Sequence, residues 1–311
     1  MNVELVKRPL RTIRSWPPLN VPLTTGCRAG LRFLGREPGI LARFLPRTGL
    51  VEVPLPDGEL LRMWSRADDD VTGHVYWKGW VGHEAETSPL FYDLARSARG
   101  TVDIGAHVGY FALLAAHANP SGDVYAFEPH PLVYQRLLRN TALNELENMQ
   151  CMSLAVGSER GVAEFFHVKD GIHSSSSLSQ GFMESIVETR RLRSSEVHVV
   201  SLDAFVEERH IPSVDLVKID TETTEDAVFR GMTRTLARDH PIVFCEVLQE
   251  PSARIIEEIL RRFDYRFYLL TDGGPVLCDR VLPQPPWRNY CFIPESGPDP
   301  RTMNWSAPRV P

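Results

Sequence analysis

The chain has 311 residues, 43% hydrophobic and 24% charged, a balance that excludes global disorder, collagen and coiled coil and implies a packed core. No stretch approaches the ~18 consecutive apolar residues that cross a bilayer, and the N-terminus lacks the apolar run of a secretory signal, so a soluble cytoplasmic protein is expected. The net charge of −6 is uneven: residues 1–50 hold nine Lys/Arg against Glu4 and Glu37, leaving −13 on the rest, which makes nucleic acid a poor partner.

The basic leader is expected to be a solvated arm, with contact to an anionic membrane surface or partner, or a transit-like peptide, as the other readings. Pro9, Pro17, Pro18, Pro22, Pro38 and Pro46 punctuate it and allow only short helices such as 27–34. Residues 50–54 and 59–64 alternate around Pro56-Asp57-Gly58, the pattern of a β-hairpin. These features define a basic arm and hairpin cap over residues 1–87.

From about residue 88 short apolar runs alternate with amphipathic stretches. Helices are expected at 89–97, 110–117, 130–144, 225–237 and 251–262, and strands at 101–104, 124–127, 149–156, 197–202, 214–219 and 242–247. Continuous apolar strands alternating with helices mean an α/β fold with a parallel sheet covered on both faces. Tyr265–Leu270 and Asn289–Ile293 flank Asp272-Gly273-Gly274 and are expected to close the sheet as an antiparallel hairpin. A Ser-rich, charged excursion at 167–195 interrupts the pattern, as a lid or a loose loop, and 296–311 reads as a Pro-rich tail. The five cysteines are scattered and never in metal-ligand spacing, so neither zinc nor a disulfide framework is expected.

The most informative segment is Thr101-Val-Asp-Ile-Gly-Ala-His-Val-Gly-Tyr, with Glu128 25 positions beyond Asp103. A strand delivering Asp103 and Gly105 to its carboxyl end places them at the ligand crevice of an open sheet. Gly105 and Gly109 permit close backbone approach, and Glu128 at the end of the next strand is placed to accept from two ribose hydroxyls. The spacing is neither Gly-x-Gly-x-x-Gly nor a P-loop, and an Asp before the first glycine repels pyrophosphate. That loop suits S-adenosylmethionine, whose amino-acid end is zwitterionic and whose sulfonium is positive. Its alternative is a plain strand-to-helix turn with a capping carboxylate.

Asp103-Ile-Gly-Ala-His-Val-Gly-Tyr, Phe127-Glu-Pro-His-Pro, Asn140 with Asn144, Ala155-Val-Gly, Ser201-Leu-Asp203, Lys218-Ile-Asp-Thr-Glu222 and Cys245-Glu246 together resemble the FkbM-type methyltransferase family over residues 75–295. The resemblance implies a class I methyltransferase (Rossmann-like) domain at 88–295: a seven-stranded, mostly parallel sheet with an antiparallel C-terminal hairpin. It also implies S-adenosylmethionine-dependent O-methylation of a hydroxyl on a sugar, glycolipid or small natural product. Asp103, Gly105, Ala106, His107, Gly109, Tyr110, Glu128 and Pro129 are then the cofactor-binding residues, with adenine near Ala155 and Val156.

Asp220, Glu222 and Glu246 are the expected acceptor end, since a neutral hydroxyl gains from a base in reach. Asp220 either orients a ligand or takes its proton, and Lys218 is read as its ion-pair partner. The three carboxylates also suit Mg²⁺ or Mn²⁺, and N-methylation or a non-catalytic methyltransferase-like module are the remaining alternatives. Where the family commonly has Asp-x-Glu-Gly-x-Glu, this chain has Thr223, which disfavours left-handed backbone and puts the loop's geometry in question. Asp203 reads as a helix N-cap, His130 as support for a helix start, and His173 as a plain loop residue or a base carried by a closing loop. Residues 76–80, with Glu84 and Glu86 following, read as an aromatic cluster buried between cap and core, or as a wall for a ligand.

Overall fold

A computed structural model describes residues 16–36, 38–39, 45–168 and 176–303. Strands β1 (Thr48–Pro54) and β2 (Leu60–Arg66) form the expected hairpin, paired from Thr48↔Arg66 to Pro54↔Leu60. Its turn uses Gly58 at φ +91°, and Asp57 accepts from the Glu59 N–H at 3.1 Å. Before it, the short helix expected at 27–34 is instead one helix, Pro17–Phe33. Pro17 and Pro18 fall in its first turn, where a missing N–H is tolerated, and only Pro22 forfeits an internal bond.

The remaining strands are β3 (Gly100–Ile104), β4 (Asp123–Phe127), β5 (Met149–Met152), β6 (Ala155–Val156), β7 (Gly161–Val168), β8 (Leu192–Val200), β9 (Leu216–Ile219), β10 (Ile242–Glu246), β11 (Tyr265–Thr271), β12 (Gly274–Cys278) and β13 (Asn289–Pro294). The main sheet runs β12-β11-β13-β10-β9-β3-β4-β5. Neighbours from β5 to β10 are parallel, and β13 inserts antiparallel between β10 and β11. This is the class I methyltransferase arrangement, with β12 added as an eighth, edge strand. The Asp272-Gly273 turn joins β11 to β12 rather than to β13. Along β4, Val124 and Ala126 join the hydrophobic cluster on one face while Tyr125 and Phe127 join that on the other, the period of 2 that a doubly covered sheet requires.

Three sequence expectations change. The strand expected at 149–156 splits at Ser153-Leu154, because β6 leaves the main sheet to pair with β8. The helix expected at 225–237 becomes Glu225–Arg230 and Thr233–Asp239, broken at Gly231. The 167–195 excursion connects the strands of a long antiparallel hairpin, β7 with β8, paired from Gly161↔Val199 to Val168↔Leu192, and its described part carries helix Gln180–Ile186.

Asn140 and Asn144, on helix Pro131–Leu143 and at its end, dock the N-terminal hairpin. Asn140, fully buried, accepts from Trp64 N–H at 2.8 Å and donates to Val108 C=O at 2.8 Å. Asn144 accepts from Arg62 N–H and donates to Arg62 C=O, at 2.8 and 2.7 Å. The free edge of β2 is thereby satisfied by side chains. Replacing Asn140 by Ala strands both partners, so Asn140→Ala is expected to cost about 2–4 kcal/mol in urea unfolding followed by circular dichroism. A loss below ~0.5 kcal/mol would remove this docking role.

Candidate active site

The site forms at the carboxyl ends of β3 and β9, where the order of the parallel strands reverses. Gly105 leaves β3 at φ +82°, and a Cβ there would lie 1.8 Å from the Asp220 carbonyl oxygen. Only glycine lets the two strand ends approach so closely. Gly105 and Ala106 both donate to Phe127 C=O, which ties the loop to β4. Gly109, at φ +93°, starts helix Tyr110–Ala118, and a Cβ on it would strike Leu137 at 2.6 Å. Asp103 is buried, its Oδ2 accepts from Ala112 N–H at 2.9 Å in that helix's first turn, and burial pushes its carboxyl up to about 7.

Glu128 follows β4 and holds the loop from the other side, accepting from the His107 and His130 N–H groups at 2.9 and 2.7 Å. Burial pushes it, too, up to about 7. It lines a cavity with Gly105, His107, Pro129, Ala155, Val156, Asp220 and Glu222. Leu154, Phe165 and Leu178 also line it and were not singled out from the sequence; Phe165 stands on β7, which was not recognised as a strand. Asp103, Ala106 and Tyr110 line a smaller chamber behind the loop, while Gly109 shapes the loop without lining either space. His107 sits at φ +51°, and both its ring nitrogens are buried without a hydrogen-bond partner.

Asp220, Glu222 and Glu246 converge, each offering an oxygen within 4.8 Å of the others. Beneath them Lys218 is 1% exposed, its Nζ 3.5 Å from Asp220 Oδ2, 3.6 Å from Glu84 Oε1 and 4.9 Å from the Phe111 ring centroid. Burial alone would neutralise this lysine, but the surrounding Glu84, Asp220, Glu246 and Asp103 outweigh it and raise its pKa. Lys218 is therefore the expected ion-pair partner of Asp220, with Glu84 as a second partner that the sequence reading placed only beside an aromatic cluster. Glu222 and Glu246 are pushed up from the usual carboxylate range, first by burial and then by Asp220.

Thr223 keeps the left-handed conformation that glycine would adopt more easily, at φ +83°, next to Glu222 at +55°. Glu225 Oε1 secures the turn by accepting from Thr221 N–H, Thr221 Oγ1 and Thr223 N–H. The loop is thus retained with backbone strain of about 1–3 kcal/mol in a β-branched residue.

Other candidates resolve differently. Asp203 caps a helix other than its own: it lies inside Leu202–Glu208, whose N-cap is Ser201, and accepts from Arg234 and Thr235 N–H at the start of Thr233–Asp239. His130 caps Pro131–Leu143, accepting from Leu132 N–H at 3.2 Å. Tyr76, Trp77 and Trp80 are buried in the core cluster. His173 lies outside the described residues. All five cysteines are free.

A family profile described as methyltransferase FkbM domain matches residues 103–267, more than half of the chain. The chain belongs to the FkbM methyltransferase domain family. Among curated FkbM-like relatives, 31-O-demethyl-FK506 methyltransferase FkbM of Streptomyces tacrolimicus is 29% identical over 42% of this chain and 58% of that protein. Hexuronic acid methyltransferase AglP of Haloferax volcanii is 27% identical over 43% of this chain and 50% of that protein. The chain thus spans about half to two-thirds of the length of the curated relatives it matches. A solved methyltransferase FkbM from Methylobacillus flagellatus KT superposes with TM-score 0.41 and 14% identity over 63% of this chain and 43% of that one.

Relieving the strain at Thr223 makes Thr223→Gly a stabilising change in this FkbM-family chain, by about 1 kcal/mol after glycine's extra chain entropy, or ~2–4 °C in Tm. A fall in Tm by differential scanning fluorimetry would contradict it. The buried acids also set a pH dependence. With Asp103, Glu128 and Glu225 raised to about 7, and Glu222 and Glu246 raised as well, the folded chain binds more protons than the unfolded chain above the ordinary carboxylate pKa. Their contribution is complete below that value and is lost as pH rises through 7 and beyond. Tm should therefore decline less between pH 6 and 9 for Glu246→Gln than for the parent, and parallel curves would refute the assignment.

Proposed function

We propose that this protein is an S-adenosylmethionine-dependent O-methyltransferase acting on a hydroxyl of a sugar, glycolipid or small natural product. One observation carries the reading: Asp220 and Glu222 line both the cavity beside Glu128 and a wider cleft that also contains Glu246. A cofactor chamber and an acceptor chamber meeting at a carboxylate cluster is the arrangement that methyl transfer requires.

The residues fit the cofactor. Glu128 keeps acceptor capacity for ribose hydroxyls after taking two backbone N–H groups, Ala155 and Val156 offer an apolar adenine slot, and Gly105 leaves the cradle free of a Cβ. The carboxylates outnumber Lys218, which favours a cationic ligand beside them. S-adenosylmethionine, when bound, supplies an electrophilic methyl on a sulfonium. The chain's own residues do the rest: Asp220 and Glu222 hold the acceptor hydroxyl in line, and Glu246, its pKa raised by burial, is the base suited to receive its proton. Positioning supplies most of the acceleration in such a displacement.

The relatives' names, which give 31-O-demethyl-FK506 and hexuronic acid, support a hydroxylated acceptor. A second reading has specific support: the 4.8 Å convergence of Asp220, Glu222 and Glu246 would also hold a divalent cation, which would polarise the acceptor oxygen. Loss of turnover in EDTA, restored by Mg²⁺ or Mn²⁺, would select that variant. No helix among the described residues is long and apolar enough to cross a membrane.

Isothermal titration calorimetry with S-adenosylmethionine and S-adenosylhomocysteine, with NAD as control, tests the cofactor. Micromolar binding of the first two alone is expected, and Glu128→Ala should weaken it at least tenfold, the loss of about 1.4 kcal/mol. Folded protein that binds neither would leave a non-catalytic module as the reading, and unchanged affinity in Glu128→Ala would remove the ribose role.

A further inference from the structure

Behind the glycine loop lies a second, small chamber of about 30 Å³ between the N-terminal segment and the core. It shares Gly105, His107 and Asp220 with the nucleoside cavity, so the two are contiguous around the loop. Its charged lining is Glu84, Asp103, Lys218 and Asp220. Most of these groups are already engaged. Asp103 Oδ2 takes the Ala112 N–H, and Asp220 Oδ2 takes Lys218 at 3.5 Å. Glu84 Oε1 faces Lys218 Nζ at 3.6 Å and His83 Nε2 at 3.5 Å.

Two groups remain uncommitted. Glu84 Oε2 is buried without a hydrogen-bond partner, as is the nearby Thr87 hydroxyl. The His107 ring nitrogens, in the lining of the same chamber, are equally unpartnered. A buried carboxylate oxygen left empty costs free energy unless a donor arrives. An unpartnered acceptor and a potential ring N–H donor lining one chamber, with three carboxylates and one lysine, match a ligand carrying an ammonium and a carboxylate on one carbon.

We infer that Glu84 binds the α-ammonium group of the cofactor's amino-acid end, with His107 toward the α-carboxylate. This rests on the cofactor reading above and deepens it: the residue stands nineteen positions before the start of the matched segment 103–267, in the stretch joining the N-terminal hairpin to the core. The N-terminal segment thereby completes the cofactor site instead of only covering it. Asp103, which precedes the first glycine, serves the helix start and Lys218.

Calorimetry with three probes tests this without knowledge of the methyl acceptor: S-adenosylhomocysteine, its deaminated analogue that keeps the carboxylate, and 5′-methylthioadenosine, which lacks the amino-acid end. The parent protein should bind S-adenosylhomocysteine at least tenfold more tightly than the deaminated analogue. Glu84→Gln should lose about tenfold for S-adenosylhomocysteine and stay within twofold for methylthioadenosine and for the deaminated analogue. Unchanged S-adenosylhomocysteine affinity in Glu84→Gln, or equal weakening of all three probes, would overturn the assignment. If Glu84→Gln does not fold by circular dichroism, the parent's discrimination between the first two probes decides: equal affinities refute an ammonium site. A parent that binds none of the probes overturns the cofactor reading itself, an outcome distinct from these.

Discussion

Lys218 is the charge around which the site is organised. A fully buried ammonium is tolerated only when anions surround it, and this one lies among Glu84, Asp220, Glu246 and Asp103 and against the Phe111 ring. Those anions come from the N-terminal segment, the ends of β9 and β10, and β3. One cation thus holds together pieces of chain more than a hundred residues apart. It also leaves the cluster with surplus negative charge, which raises Glu222 and Glu246 and leaves room for a ligand's positive charge.

Backbone sterics supply the second constraint. The 1.8 Å that would separate a residue-105 Cβ from the Asp220 carbonyl means that β3 and β9 meet edge to edge at their carboxyl ends, with no side chain between them. This contact sets how near the glycine loop lies to the acidic cluster, and therefore how near a nucleoside in the first lies to chemistry in the second. Thr223 shows the same constraint from the other side: the turn after Asp220 must be left-handed, and the chain accepts a strained threonine to keep it.

Much of this was legible in the sequence. Apolar runs of five or so residues alternating with amphipathic stretches gave the parallel sheet, and the spacing of Asp103, Gly105, Gly109 and Glu128 located the loop. Lys218, Asp220, Glu222 and Glu246 were legible as strand-end charges. Three things were not. The β7–β8 hairpin is obscured because Glu164 and His167 fall within an otherwise apolar outer strand without strict alternation, so neither a continuous apolar run nor a period of 2 stands out. Helix Pro17–Phe33 is masked by prolines that fall where a helix tolerates them. Glu84 could not be assigned, since its only local cue is proximity to tryptophans; its partner lies 134 positions away in sequence and is supplied by the fold.

What decides the acceptor lies outside the shared core. The open cleft is walled by Lys78 and Glu86 from the N-terminal segment, by Phe182 and Ile186 from the helix between β7 and β8, and by Leu248, Arg288 and Asn289 beside β10 and β13. Asn289 donates to Glu86 at 3.3 Å, linking two of these walls directly. The residues that would handle the methyl group stand on strand ends, where geometry is stiff, whereas those that would meet the rest of the acceptor stand on the cap, on an inserted helix and on a loop. On the proposed reading, such a division would let one rigid set of strand ends serve different acceptors, because the walls can vary in charge and apolarity without disturbing the contact between Gly105 and Asp220.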